Sequence, residues 1–219
     1  MNIPSLDDRL SRAAALFPAC EYGADIGADH GRLSCVLLAR GICERMCVAD
    51  ISAESLEKAR KLLTDWNLLS RADVSVGDGL HAMPHPANAI AILGMGGHTI
   101  CDILESGKHL LNGASLILSA HTQIHLLRKK LMDVNYRIDC EEIAYAAGRF
   151  YVVLRAIPGG EILDEKKCFL GPRLMETRCQ HYSQYLDWRI EYTKKERTIE
   201  GAKRLDWLKE EKNRVCNGT

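Results

Sequence analysis

The stretch that decides the fold is ADIGADHGRL, residues 24–33. A short apolar strand runs into a glycine-bearing turn, and a segment of helical periodicity begins at Arg32. This order is typical of nucleotide-binding sheets, yet the turn carries two carboxylates, Asp25 and Asp29. Because carboxylates repel a pyrophosphate, and because the glycines do not follow the GxGxxG spacing, the turn favours a cationic ligand without phosphate.

On both sides of this turn, short apolar segments alternate with segments of helical periodicity. The predicted strands are EYGADI (21–26), RMCVAD (45–50), ADVSVGDG (72–79), NAIAILGMGG (88–97) and ASLILSA (114–120), then YRIDCEEIAY (136–145) and RFYVVLRAI (149–157). The last two are joined by residues 146–148, which favour a hairpin, and Ser52 is predicted to cap the helix after the second strand. We therefore predict an α/β fold with a doubly wound, Rossmann-like parallel sheet and a terminal antiparallel hairpin. The combination is typical of class I methyltransferases, although other doubly wound folds share most of it.

A boundary is predicted at Pro158-Gly159-Gly160, because the composition changes from strand patterns to long, charged helical runs beyond it. We expect residues 1–160 to form the catalytic domain and residues 161–219 to form a C-terminal α-helical, coiled-coil-like domain. Within the latter, one helix is predicted over residues 172–197 and a second from about residue 198 to 215. Two such helices predict an antiparallel helical hairpin that packs on itself or on the main domain.

Composition limits the classes of function. The 219 residues carry a formal net charge of zero, so an RNA partner must be held by local basic patches. No apolar run reaches the roughly 18 residues of a membrane span, and the N-terminus does not resemble a secretory signal, so we expect a cytoplasmic protein without membrane contact. The nine cysteines contain no CxxC pair, so we expect free thiols and no metal site.

Ligands of open parallel sheets bind at the carboxyl ends of the strands. At this edge Asp25 can accept a hydrogen bond from an amino group, and Asp50 can accept hydrogen bonds from the hydroxyls of a ribose. Asp78 can accept a hydrogen bond from the exocyclic amine of an adenine. S-adenosyl-L-methionine fits this set, since it is cationic and carries no phosphate. Helix capping is the alternative for Asp25 and Asp29, and a plain turn is the alternative for Asp78. The predicted cofactor-binding residues are Asp25, Ile26, Gly27, Asp50, Ile51, Gly77, Asp78, Gly79 and Gly94.

Three glycines occur in the four residues Gly94-Met95-Gly96-Gly97, at the end of a buried strand. Small residues there leave room for a flat ligand beside the methyl donor. Met95 either packs on the face of such a ring or fills the core.

Four stretches in the same order, ADIGADHGRL, VADIS, GDGL and LGMGG, resemble the bacterial tRNA (adenine-N1)-methyltransferase family that acts on adenosine at tRNA position 22. That family typically shows a DIGSDH-like loop, GMGG, and an FGP-L element leading into a helical hairpin. They correspond here to DIGADH (25–30), GMGG (94–97) and FLGPRL (169–174). The resemblance implies methyl transfer from S-adenosyl-L-methionine to N1 of a tRNA adenine swung out of its stack. It also implies that the target base faces Asp29, His30, Gly94, Met95 and Gly96.

Two stretches differ from the family pattern. Residues 119–123, SAHTQ, stand where the family has a Q-P-N-like segment, and residues 146–152, AAGRFYV, replace an acidic pair before a GKFYE-like strand. Both are expected near the substrate side of the sheet.

The tRNA contacts are predicted at local basic positions. The candidates are Arg9, Arg12, Arg128, Lys129 and Arg149. Three alternatives stay open: a small-molecule methyltransferase that shares the cofactor loops, a non-catalytic RNA-binding protein that keeps the fold, and, more weakly, a dehydrogenase. The oligomeric state is open, and a monomer is compatible with the sequence.

Overall fold

The computed structural model describes residues 4–217 and contains a seven-stranded mixed sheet of strand order β3-β2-β1-β4-β5-β7-β6. The strands are β1 (Cys20–Ile26), β2 (Cys43–Asp50), β3 (Ala72–Val76), β4 (Ala89–Met95), β5 (Ser115–Ala120), β6 (Tyr136–Ala146) and β7 (Arg149–Pro158). The first five pair in parallel, while β7 is antiparallel to both β5 and β6. The predicted doubly wound sheet with a terminal antiparallel hairpin is confirmed.

Nine α-helices are assigned within the described residues. They are α1 (Asp8–Leu16), α2 (Arg32–Ala39), α3 (Ala53–Asp65), α4 (Gly97–Ser106), α5 (Ile124–Asp133), α6 (Glu165–Leu170), α7 (Pro172–Thr177), α8 (Tyr182–Thr193) and α9 (Ile199–Asn217). The predicted cap of α3 is confirmed, because the Ser52 hydroxyl oxygen accepts the backbone N–H of Ser55 at 3.2 Å.

Helices cover both faces of the parallel strands, which explains why those strands are apolar almost throughout. On one face, Ile26 and Ile92 pack with Ile100 of α4 and other buried side chains. On the other face, Val48 packs with Leu37 of α2 and further apolar side chains from α1 and α3. Burial on both faces leaves the strand ends as the place where polar side chains of these strands reach a ligand.

The prediction of one helix over residues 172–197 is wrong. The chain leaves helical geometry between α7 and α8, where Arg178 and His181 have positive φ angles of 46° and 71°. This break lets side chains of both helices reach one cluster beneath β6 and β7, which contains Leu174, Tyr182 and Val152. Burial of two separate apolar faces thus outweighs the helical propensity of the intervening residues.

The predicted antiparallel helical hairpin is confirmed in α8 and α9. Tyr182, at the start of α8, donates its hydroxyl to Glu211 near the end of α9 at 3.2 Å. Lys212 of α9 reaches Ser183 and Asp187 of α8 at 2.7 and 2.6 Å. Contacts between the start of one helix and the end of the other require the two helices to run in opposite directions.

A buried ion pair joins this C-terminal part to the sheet, and it corrects one predicted RNA contact. Arg128 of α5 is fully buried, and its Nε lies 2.7 Å from Glu141 of β6. The guanidinium also donates to the carbonyl of Cys168 at 2.8 Å, at the end of α6. The Glu141 carboxylate accepts the backbone N–H of Arg173, at the start of α7, at 2.9 Å. Because Arg128 is buried in these bonds, the prediction that it contacts RNA is wrong.

Gly171 stands at the centre of this junction. It has a φ of 105°, and an added Cβ would lie 2.7 Å from Arg128 Nη2 and 3.0 Å from Glu141 Oε2. The FLGPRL stretch therefore needs glycine at this position both for backbone conformation and for space.

Candidate functional site

A cavity of about 490 Å³ opens at the carboxyl ends of β1 to β4, and we call it the strand-end cavity. Its volume is in the range of about 300–1,000 Å³ that small-molecule sites occupy. Eight of the nine predicted cofactor residues line it: Ile26, Gly27, Asp50, Ile51, Gly77, Asp78, Gly79 and Gly94. Thr99 and Asp102 of α4, which the sequence did not single out, line it too. The parallel arrangement of the strands thus brings four separate loops together.

Two carboxylates of this cavity differ in their surroundings. Asp50 is held in place, because its two oxygens accept the backbone N–H groups of Ser52 at 2.8 Å and Asp29 at 3.0 Å. Asp78 is exposed, and its side chain does not cap the short 3₁₀ helix that follows it. Ile51 leaves 75% of its surface exposed at the rim. An acceptor beside an exposed apolar side chain suits a flat ring that carries an amine.

Gly27 forms the floor where β1 turns, with a φ of 72°. An added Cβ would lie 2.1 Å from Met95 Cε, so a side chain at this position would collide with the GMGG loop. Met95 itself lines the cavity and also packs against the core cluster.

A second cavity of about 420 Å³, the loop cavity, lies on the other side of Gly27. It shares Gly27, Leu93 and Gly94 with the strand-end cavity, so the two are contiguous. Its lining contains Asp25, Asp29 and His30, as well as Arg9 and His121. The predicted target-base residues Asp29 and His30 therefore lie next to the predicted cofactor residues, while Gly96 lines neither cavity.

Asp25 is buried at the base of the loop cavity, with 4% of its surface exposed. It accepts the hydroxyl of Ser34 at 2.7 Å and also the backbone N–H of Ser34, in the first turn of α2. Burial raises the pKa of the Asp25 carboxyl to about 6, the bonds from Ser34 oppose this shift, and the charge of Asp50 adds to it. Asp25 therefore bonds to the first turn of α2, as the capping interpretation predicts, and it also lines the loop cavity.

Asp29 behaves differently. The residue that caps α2 is Gly31, while the Asp29 carboxylate lies 2.6 Å from Nδ1 of His30. Asp29 is exposed and has a φ of 50°. The capping interpretation is wrong for Asp29, whose carboxylate stays available at the edge of the loop cavity.

Arg9 and His121 form a contact that the sequence did not suggest. Arg9 Nη1 lies 2.8 Å from His121 Nε2. Because a guanidinium only donates, His121 Nε2 is the acceptor and the ring is neutral. Burial, followed by the charges of Arg9 and Arg149, lowers the pKa of His121, in agreement with a neutral ring. His121 stands directly after β5, so the strand-end rule was the signal that could have found it.

The remaining predicted RNA residues do not form one patch. Arg9 and Arg149 both lie over the ring of Tyr151, at 5.6 and 5.8 Å from its centroid. Arg12 is engaged with Asp8 and Glu142. Lys129 is exposed on α5.

In the described range, residues 4–217, no three His, Cys, Asp or Glu side chains cluster in a way that could hold a metal ion. Over the same range, no helix combines the length and apolarity needed to cross a membrane.

Comparison with known proteins places this geometry in a family. A methyltransferase domain family matches residues 6–154. The tRNA (adenine(22)-N(1))-methyltransferase of Bacillus subtilis (strain 168) is 34% identical over 161 residues, which cover 73% of this chain and 68% of that protein.

Solved structures agree. The m1A22 tRNA methyltransferase TrmK of B. subtilis superposes with a TM-score of 0.80 at 26% identity, covering 95% of this chain and 96% of that one. A Streptococcus pneumoniae protein, provisionally assigned as a tRNA (m1A22) methyltransferase and solved with S-adenosyl-L-methionine, superposes with a TM-score of 0.89 at 26% identity. That match covers 95% of this chain and all of the other.

Proposed function

The chain belongs to the tRNA (adenine(22)-N1)-methyltransferase family, and from this premise we propose that it transfers a methyl group from S-adenosyl-L-methionine to N1 of the adenine at position 22 of tRNA. The observation that carries the proposal is that the two cavities adjoin at Gly27, Leu93 and Gly94, which line both of them. One cavity has the residues for a cofactor, and the other, reached across a glycine floor, has room for a base.

The residues of the strand-end cavity fit S-adenosyl-L-methionine. Gly27, with a φ of 72°, lets the backbone turn closely at the floor of this cavity, where an added Cβ would collide with the Met95 side chain. Asp50 would accept hydrogen bonds from the ribose hydroxyls, and Asp78 would accept one from the adenine amine. Ile51 would cover a face of the cofactor's adenine ring. Asp25, which faces the adjoining loop cavity, would accept a hydrogen bond from the amino group of the cofactor. When bound, the cofactor supplies an electrophilic methyl group on a sulfonium.

The loop cavity would hold the target adenine, and its residues would orient the base rather than exchange protons with it. N1 of a neutral adenine forms the new N–C bond with its own lone pair, so placement is the main requirement. The methylated ring is cationic. Asp29, exposed at the cavity edge and paired with His30, would stabilise the positive charge that develops on the ring.

The direct test incubates the protein with S-adenosyl-L-methionine labelled in its methyl group and bulk bacterial tRNA. We expect label in 1-methyladenosine, found by nucleoside mass spectrometry, and located at position 22 by primer extension. Cofactor binding without methylated RNA would instead favour a small-molecule methyltransferase or a non-catalytic RNA-binding protein.

Asp29→Asn is expected to lower kcat by about 10- to 100-fold, because a charged partner of a developing charge contributes about 1.5–3 kcal/mol. Asparagine tolerates the positive φ of this position, so the backbone N–H bond to Asp50 survives. Single-turnover methylation measures the rate, and calorimetry with S-adenosyl-L-methionine serves as the control, with a Kd expected within threefold of wild type. A wild-type rate in this variant would remove Asp29 from catalysis.

Residues 1–160 are proposed to act as the catalytic domain, and residues 161–219 as a helical domain that helps to hold the tRNA. A tRNA substrate supports a cytoplasmic location. Arg9 and Arg149, which lie close to the cavities, are the predicted RNA contacts that this placement supports best.

A further inference from the structure

A third cavity, of about 440 Å³, lies between the β6–β7 hairpin and helix α8, and we call it the aromatic groove. It shares His121 with the loop cavity, so it begins where the target-base site ends. The two stretches that differ from the family pattern, residues 119–123 and 146–152, both contribute to its wall.

Aromatic side chains dominate this groove. Helix α8 places Tyr185, Trp188 and Tyr192 on one side of the helix, at spacings of three and four residues. The ring planes of Tyr185 and Trp188 are within 25° of parallel, and those of Trp188 and Tyr192 are within 26°. Phe150 of the hairpin faces Trp188, with ring centroids 6.0 Å apart. Tyr192, at the open end, leaves 59% of its surface exposed. The outermost ring is therefore available to a ligand.

The charged side chains of the groove wall are Arg149, Arg189, Arg204 and Glu196. Arg204 is paired with Glu196 at 3.9 Å and with Glu200 at 3.1 Å, so the positive charge of the groove comes from Arg149 and Arg189. Arg189 bonds to neutral groups, since it donates to the Tyr185 hydroxyl at 2.8 Å and lies 4.1 Å from the centroid of Phe169. Arg149 donates to the carbonyl of His121 at 2.6 Å, and its buried Nε has no hydrogen-bond partner among the described residues. Two guanidinium groups are thus held in place by neutral partners, which leaves their charge for an anion.

We propose that the aromatic groove binds the nucleotide adjacent to the target adenine, with its base stacked on the exposed ring of Tyr192 and its phosphate near Arg149 and Arg189. Successive aromatic faces beside a basic wall form the arrangement by which proteins hold single-stranded nucleic acid. A swung-out adenine in the loop cavity brings its neighbour, one phosphate away, to the cavity border at His121. The proposal rests on the proposed function, since it assumes that the target base enters the loop cavity.

The first test compares Tyr192→Ala with Tyr192→Phe. Tyr192→Ala removes the exposed stacking face, and we expect the KM for tRNA to rise about 5- to 150-fold, which corresponds to the roughly 1–3 kcal/mol that one base–aromatic stack contributes. Tyr192→Phe keeps that face and is expected to stay within twofold of wild type. Glu57→Ala, a control at a side chain of α3 that is 75% exposed and lies outside the groove, is expected to leave the KM for tRNA unchanged. The KM for S-adenosyl-L-methionine should stay constant in all three variants.

The second test detects contact directly, which a purely structural role of Tyr192 would not produce. Wild-type protein is irradiated with ultraviolet light in complex with tRNA and digested with trypsin. We expect cross-linked nucleotide on the peptides of residues 179–189 or 190–194, which contain Trp188 and Tyr192.

The outcomes separate the two proposals. If wild type forms 1-methyladenosine, but Tyr192→Ala keeps its KM for tRNA and neither peptide is cross-linked, the groove proposal is overturned and the proposed function stands. If wild type forms no 1-methyladenosine with any tRNA, both are overturned. An equal loss of activity in Tyr192→Ala and Tyr192→Phe would assign the effect to the hydroxyl and would also overturn stacking.

Discussion

Asp25→Asn is expected to weaken the binding of S-adenosyl-L-methionine about 30-fold or more. The Asp25 carboxylate is buried and is the proposed acceptor of the cofactor's amino group. Removing one charge of such a buried, hydrogen-bonded pair costs about 2 kcal/mol or more. Asparagine keeps the shape of the side chain and one acceptor oxygen for Ser34, so the loss reports the charge.

The same substitution is expected to stabilise the fold above pH 6. Burial raises the pKa of Asp25 from 3.8 to about 6, so the folded protein binds this proton more tightly than the unfolded chain does. The stabilisation from protonation is complete below pH 3.8 and is lost as the pH rises through about 6. At pH 8 the ionised carboxylate is therefore a cost, and Asp25→Asn should raise the free energy of unfolding by about 1–3 kcal/mol.

Calorimetry with S-adenosyl-L-methionine and urea unfolding at pH 8 measure the two effects. Wild-type affinity should also fall below pH 6, by up to about tenfold per pH unit, whereas the affinity of Asp25→Asn should change little over that range. Asp65→Asn, at an exposed carboxylate of α3, is the matched control and should alter neither quantity. Unchanged cofactor affinity in Asp25→Asn would exclude the proposed role of this carboxylate.

Arg128→Met is expected to lower the free energy of unfolding by about 3–5 kcal/mol, the usual result of leaving one partner of a buried ion pair uncompensated. Both side chains of the pair with Glu141 are fully buried. The guanidinium also satisfies carbonyls at the end of α6, and the carboxylate satisfies backbone N–H groups at the start of α7. The pair therefore holds these helices against the sheet, and its loss should loosen residues 161–219 first.

Urea unfolding and limited proteolysis measure this effect, with new cleavage expected beyond residue 160. Lys61→Met breaks an exposed ion pair with Asp65 and is the control, expected to cost at most about 1 kcal/mol. The double variant Arg128→Met/Glu141→Gln removes the unpaired charge while keeping an acceptor for the α7 amides, so it should recover part of the loss. A cost for Arg128→Met no larger than that for Lys61→Met would show that the buried pair does not hold the junction.

Much of the candidate site could be predicted because its signals are local. Asp50 and Gly77–Gly79 each follow a strand, and parallel strands bring their carboxyl ends to one edge of the sheet whatever their distance along the chain. The break between α7 and α8 could not be predicted in this way, because helical spacing continues through it. Only the cluster under β6 and β7 requires the chain to turn there.

Which basic residues are buried could not be predicted from the sequence either. Arg128 and Lys129 are adjacent in sequence and look alike as charges, yet one is buried in an ion pair and the other is exposed. The helix face that turns inward is decided by what packs against it, and here that is Glu141 and the end of α6.

The sequence by itself determined the α/β class, the terminal hairpin and the set of strand-end loops for a cationic, phosphate-free cofactor, because hydrophobic period, turn glycines and carboxylates act over a few residues. Only the tertiary structure decided that Asp25 is buried while Asp29 is exposed, that Arg9 meets His121 across 112 positions of chain, and that the rings of α8 face the hairpin. The physical reason is that burial, pKa and contact between distant residues depend on how whole elements pack, and the spacing of residues along one segment does not contain that information.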